Sequence, residues 1–108
     1  MKKQQAKHAR KEFRESVLKH DGYRCAMCDS DKELSAHHII NKKHIPYGGY
    51  VLKNGITLCG ECHIKAEDTY FGREYHEDYT PDVLFKYRGH GDVWWQVLSE
   101  CIEKENIL

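Results

Sequence analysis

No run in this 108-residue chain approaches the roughly 20 apolar residues needed to cross a bilayer, which excludes a helical membrane protein. The opening stretch MKKQQAKHARKEF has basic residues but no apolar segment behind them, so no secretory signal is expected and a cytoplasmic location is. Net charge is missing as well. Lys plus Arg and Asp plus Glu both number 17, so overall charge by itself does not point to nucleic acid. There is no low-complexity segment and no internal repeat beyond two short cysteine motifs, which argues against a disordered chain or a repeat array. Hydrophobic residues make up 40%, somewhat little for a core. A chain of this length buries roughly two thirds of its unfolded surface, so one domain stapled by something besides packing is expected.

Cysteine supplies the candidate staples. Cys25-Ala-Met-Cys28 and Cys59-Gly-Glu-Cys62 are two C-x-x-C knuckles, and Cys101 stands apart. In a reducing compartment, paired knuckles point to a metal rather than to disulfides, and four thiolates suit tetrahedral zinc. A thioredoxin-like redox reading needs one such motif between a strand and a helix of a βαβ unit, and neither knuckle has that setting. The 30 residues between Cys28 and Cys59 exceed the common zinc-ribbon spacing, so something is inserted there. Charge is also uneven. Eight basic side chains against three acidic ones between residues 1 and 24 make a basic amino-terminal arm, while residues 92 to 108 are acidic. Such an arm suits a phosphate-binding surface, and equally a solvated helix face.

The apolar spacing orders the chain. Ala6, Ala9, Phe13, Val17 and Leu18 predict an amphipathic helix over 5–20, stopped at Asp21-Gly22. Leu34–Ile40 reads as a strand, Asn41–Gly49 as a loop, and Tyr50–Leu58 as a second extended segment broken at Asn54-Gly55. A helix is expected from about His63 to Tyr70, an irregular stretch over 72–80, and a short helix from Pro81 through Tyr87 that Gly89–Gly91 breaks. Asp92 then caps a last helix whose stripe is Val93, Trp94, Val97, Leu98, Cys101 and Ile102. On this reading Trp94 and Trp95 are core or core edge, and Cys101 is a small core residue.

Between the knuckles lie His37-His38, the Gly48-Gly49-Tyr50 loop, Asn54-Gly55, and Cys62-His63. Over residues 23 to 68 this pattern resembles the HNH endonucleases of the ββα-metal class, in the form of the small stand-alone proteins of bacteriophages and bacteria. The resemblance implies an α+β fold: a zinc-stapled ββα core at 23–71, a basic amino-terminal helix at 1–22 and a helical extension at 72–108, all in one compact domain. It implies that His38 is the general base and that His37 and His63 bind a catalytic divalent ion. Asn54 orients His38 and the loop, while Cys25, Cys28, Cys59 and Cys62 hold a structural zinc. Where the family often has a further histidine this chain has Glu67, whose role is open between metal ligand, ligand through water and solvent-facing residue. The implied activity is hydrolysis of DNA phosphodiesters leaving 5′-phosphate and 3′-hydroxyl ends, with magnesium, manganese, nickel or zinc. The implied setting is a bacterial cell or phage-infected host.

The residue types suit that chemistry on their own terms. A neutral imidazole can take a proton from water near physiological pH, and a divalent ion offsets the charge gathered in the transition state. His63 and Glu67, at i and i+4, share a helix face. His37 and His38 face opposite sides of a flat strand, so a shared site requires the strand to end or turn there. DNA phosphates are expected to meet Lys11 and Arg14 on the first helix and Lys42, Lys43 and Lys53 near the site. A homodimer, or docking into a larger phage or restriction complex, is the further partner expectation. The rival from another class is a non-catalytic zinc-ribbon module that only presents a surface to nucleic acid or protein.

Overall fold

In a computed structural model, residues 2–88 and 94–107 are described. Helix α1 spans Lys3–His20, strand β1 Ser35–His38, strand β2 Gly55–Leu58, helix α2 Gly60–Tyr70, helix α3 Pro81–Tyr87 and helix α4 Trp94–Ile107. The expected Asp92 cap, the Gly89–Gly91 break and Val93 lie outside the described residues.

Ala9, Phe13 and Val17 recur every four residues and are buried, so α1 packs one face inward. It ends where Gly22 and Tyr23 take positive φ, with Tyr23 N–H donating to Leu18 C=O at 2.9 Å, which satisfies a terminal carbonyl. The two strands pair antiparallel in the register Ser35 with Leu58, Ala36 with Thr57, His37 with Ile56 and His38 with Gly55. Helix α1 covers one face of this hairpin and α2 contacts both strands as well. Side chains alternate accordingly: His38 stacks on Phe13 of α1, whereas His37 meets His63 of α2. Among the described residues no helix is long and apolar enough to cross a membrane.

Both strands are shorter than the apolar pattern predicts, and Asn54 is the reason. Its carbonyl accepts from Ile39 N–H at 2.8 Å, and its side chain then takes over at Ile40, accepting from N–H at 2.9 Å and donating to C=O at 3.1 Å. The ladder therefore stops at His38, and the chain before Asn54 coils into short 3-10 turns at Pro46–Gly49 and Leu52–Asn54. Helix α2 starts at Gly60, three residues earlier than expected, with His63 N–H donating to Cys59 C=O at 2.8 Å. The short helix Pro81–Tyr87 matches its expected bounds, and Thr80 Oγ1 accepts from Val83 N–H.

Ile39, Ile56, Leu58, Leu84, Phe85, Val97 and Cys101 share one buried cluster with Cys25, Cys59 and Cys62. Cys101 is thus the small core residue expected of it, fully buried. The tryptophans correct the sequence reading: Trp94 and Trp95 are 54% and 60% exposed. Helix α4 rests on the 46–49 turn and buries Val97 and Cys101, and its first turn stays mostly in solvent. A buried ion pair ties the C-terminal segment to the hairpin. Arg88 Nη1 donates to Asp21 Oδ1 at 2.6 Å, Nη2 donates to Leu52 C=O at 3.3 Å, and Asp21 Oδ2 accepts from Thr57 N–H at 2.8 Å.

Candidate active site and cysteine cluster

The knuckles are brought together by hairpin and helix. Ala26 N–H donates to Thr57 C=O at 2.9 Å, which lays the first knuckle against β2, while Cys59 and Cys62 stand at the start of α2. The four sulfurs lie within 4.8 Å of one another, none in a disulfide, and Cys28 Sγ is 3.5 Å from Cys59 Sγ. Tetrahedral zinc with thiolate bonds near 2.3 Å needs sulfurs about 3.8 Å apart, so this donor set fits zinc. Burial works to raise the Cys25 thiol, but backbone N–H groups of Cys59, Cys28 and Met27 aimed at its sulfur outweigh it and bring it down to about 7. Burial pushes Cys62, whose sulfur is 3.2 Å from Tyr79 Oη, up to about 12. The cluster can therefore hold a cation in exchange for protons.

A second donor group lies where β1 meets α2. One ligand atom each from His37, His63 and Glu67 falls within 4.8 Å of the other two. The imidazoles of His37 and His63 are edge to face at 5.2 Å, and His63 Nε2 is 2.9 Å from Glu67 Oε1. Arg73 Nη2, 3.9 Å away, is a weaker partner of the same carboxylate. Burial, then the neighbouring His63 and His38, hold His37 down to about 3, so it is neutral at pH 7 and able to bind a cation. Two nitrogens and a carboxylate suit several divalent ions.

His38, on the opposite face, comes to the same hollow because the strand ends there. Its ring stacks on Phe13 at 4.5 Å and meets the edge of Tyr50 at 5.1 Å. Burial, then the nearby cation of Lys42, lowers it to about 4. Nε2 is sealed from solvent without a partner, and Nδ1 is not among such atoms. His37, His38, His63, Glu67 and Lys42 all line one cavity of about 210 Å³.

Asn54 is fully buried and its three side-chain bonds go to Ile40 and to Gly49 C=O, the last at 3.1 Å. It grips the loop and does not touch His38 directly. Gly49 lies between the two: φ is +67° there, and a Cβ would sit 2.5 Å from Asn54 Nδ2 and 3.6 Å from the His38 ring. Of the expected phosphate contacts, Lys42 lines the cavity, Lys43 is exposed in the same loop, and Arg14 lines an adjoining hollow with His38. Lys11 is exposed on α1, whereas Lys53 sits on the 52–54 turn and lines neither hollow. Tyr50, from the Gly48-Gly49-Tyr50 loop, also lines the cavity, as do Arg10, Tyr70 and Phe71, which were not singled out in the sequence as site residues. The i, i+4 pair Arg10 and Arg14 around the core residue Phe13 was the legible clue to Arg10.

Residues 25–69 match the HNH endonuclease family, which supports a nuclease-type function in general. No curated protein and no solved structure matches the chain significantly.

Proposed function

We propose, with residues 25–69 carrying an HNH endonuclease core, that this protein is a metal-dependent endonuclease hydrolysing DNA phosphodiesters to 5′-phosphate and 3′-hydroxyl ends. One observation carries the reading: a three-residue donor group and the uncharged imidazole of His38 line the same cavity. A zinc ribbon that only binds has no need of that second group.

In this reading His38 Nδ1 takes the proton of the attacking water, and the Phe13 and Tyr50 rings fix its plane. Burial, then Lys42, depresses His38, and a phosphodiester beside Lys42 offsets the second and smaller of these causes. His37 and His63, with Glu67 in place of the family's further histidine, would hold the divalent ion. Bound there, magnesium, manganese, nickel or zinc would supply several kcal/mol of stabilisation to the charge that develops in the transition state. Asn54 acts at one remove by keeping Gly49 and Ile40 in place beside the base. Lys11 and Arg14 on α1 and Lys42 and Lys43 on the loop hold flanking phosphates. The cysteine cluster holds structural zinc, and reduced thiols suit the cytoplasm of a bacterial cell or infected host.

Cleavage of supercoiled plasmid by protein with zinc at its cysteine cluster tests this, with magnesium, manganese, nickel or further zinc added or omitted. Nicking or linearisation that needs the added ion and disappears in His38→Ala is expected. Full activity in His38→Ala, with zinc retained, refutes the assignment of the base.

A further inference from the structure

The loop that carries Lys42 is tied at both ends to one hydroxyl. Asn41 and His44 close a four-residue turn, with His44 N–H donating to Asn41 C=O at 2.9 Å and Lys43 N–H donating to Asn41 Oδ1 at 2.9 Å. Lys42 and Lys43 occupy its exposed middle. Tyr70 Oη accepts from Asn41 N–H at 3.2 Å and lies 2.7 Å from His44 Nδ1, with the two rings stacked at 5.7 Å and 17°. A phenol has one proton and spare lone pairs. It can therefore accept from Asn41 N–H and pair with His44 Nδ1 in either tautomer of that ring.

Tyr70 is the last residue of α2, and His63, Glu67 and Tyr70 follow the i, i+4, i+7 spacing of one helix face. The helix that brings the candidate metal donors therefore also sets where the turn stands. We propose that Tyr70 is a positioning residue: its hydroxyl fixes the Asn41–His44 turn so that Lys42 leans over the cavity and grips the backbone phosphate entering beside His38. The phosphate's identity as part of DNA rests on the nuclease reading above; the placement of Lys42 by Tyr70 rests on the hydrogen bonds alone. A flexible lysine on an untied loop loses much of its grip to conformational entropy, whereas a tied loop has that ordering already made.

The test is a double-mutant cycle on binding. Affinity for a short duplex oligonucleotide is measured by fluorescence anisotropy with zinc-loaded protein, without added divalent ion, in the His38→Ala background that keeps the duplex intact. Tyr70→Phe keeps the ring and removes both hydrogen bonds. It should weaken binding by roughly three- to ten-fold, the range for one net hydrogen bond, and lower the salt slope by about one, as Lys42→Ala does. Combined with Lys42→Ala it should add nothing, because it acts through that lysine. His44→Ala, at an exposed position, should shift affinity in the same direction by less, with zinc content and melting temperature unchanged. Wild-type affinity in Tyr70→Phe, effects that multiply in the double variant, or a chain that binds no duplex would each overturn the proposal. A protein that binds but never cuts plasmid sinks the nuclease reading instead, and the cycle still judges Tyr70.

Discussion

Asn54 is the residue whose replacement should reveal most about how this site is held. Its side chain is fully buried and makes three hydrogen bonds, accepting from Ile40 N–H and donating to the carbonyls of Ile40 and Gly49. Each such bond contributes about 1 kcal/mol net, and a buried backbone group left without a partner costs about 1–3 kcal/mol more. With three bonds lost and the Ile40 N–H deprived of its acceptor, Asn54→Ala should cost about 4–6 kcal/mol, a large part of the 5–15 kcal/mol typical of a domain. Urea unfolding followed by far-ultraviolet circular dichroism at saturating zinc reads this directly, and the melting temperature should fall by about 15 °C or more. Asn54→Asp separates hydrogen bonding from shape. It is nearly isosteric and keeps the acceptor for Ile40 N–H, but turns a carboxylate oxygen toward two carbonyls, so it should be no more stable than Asn54→Ala. A loss below about 1 kcal/mol in Asn54→Ala, or an aspartate variant near wild type, refutes the claim that these bonds hold the loop beside His38.

Three other perturbations follow from the packing. Gly55→Ala places a Cβ against Val17 Cγ2 and 2.8 Å from Phe13 Cζ, beneath the His38 ring, and should cost about 1–3 kcal/mol by urea titration while slowing cleavage. Arg88→Met leaves the Asp21 carboxylate, 9% exposed, without its cation, and should cost about 3–5 kcal/mol. A single cooperative unfolding transition in the parent would support reading residues 1–22, 23–71 and 72–108 as one folding unit. Cys59→Ser should lose bound zinc by elemental analysis and unfold on mild heating, whereas Cys101→Ala, outside the cluster, should keep its zinc.

Much of the candidate site is written in short spacings. Two C-x-x-C knuckles, adjacent histidines and the i, i+4 pair His63 and Glu67 are patterns that a few bonds of chain turn into geometry. The cysteine cluster, the ββα order and helices α1, α2 and α3 were legible for that reason. Tertiary packing decided the rest. His37 and His38 do face opposite sides of β1, yet both line one cavity at the strand's end, where the Asn54 side chain replaces the ladder just past His38. Apolar spacing extended both strands and could not show that substitution. It likewise assigned Trp94 and Trp95 to the core, because periodicity tells which residues share a face but not how far the layer beneath extends. Nothing in the sequence singles out the side chains of Tyr70 and Arg88. Their partners lie 29 and 67 positions away, at Asn41 and Asp21, and only folding brings those hydrogen-bonding groups within reach.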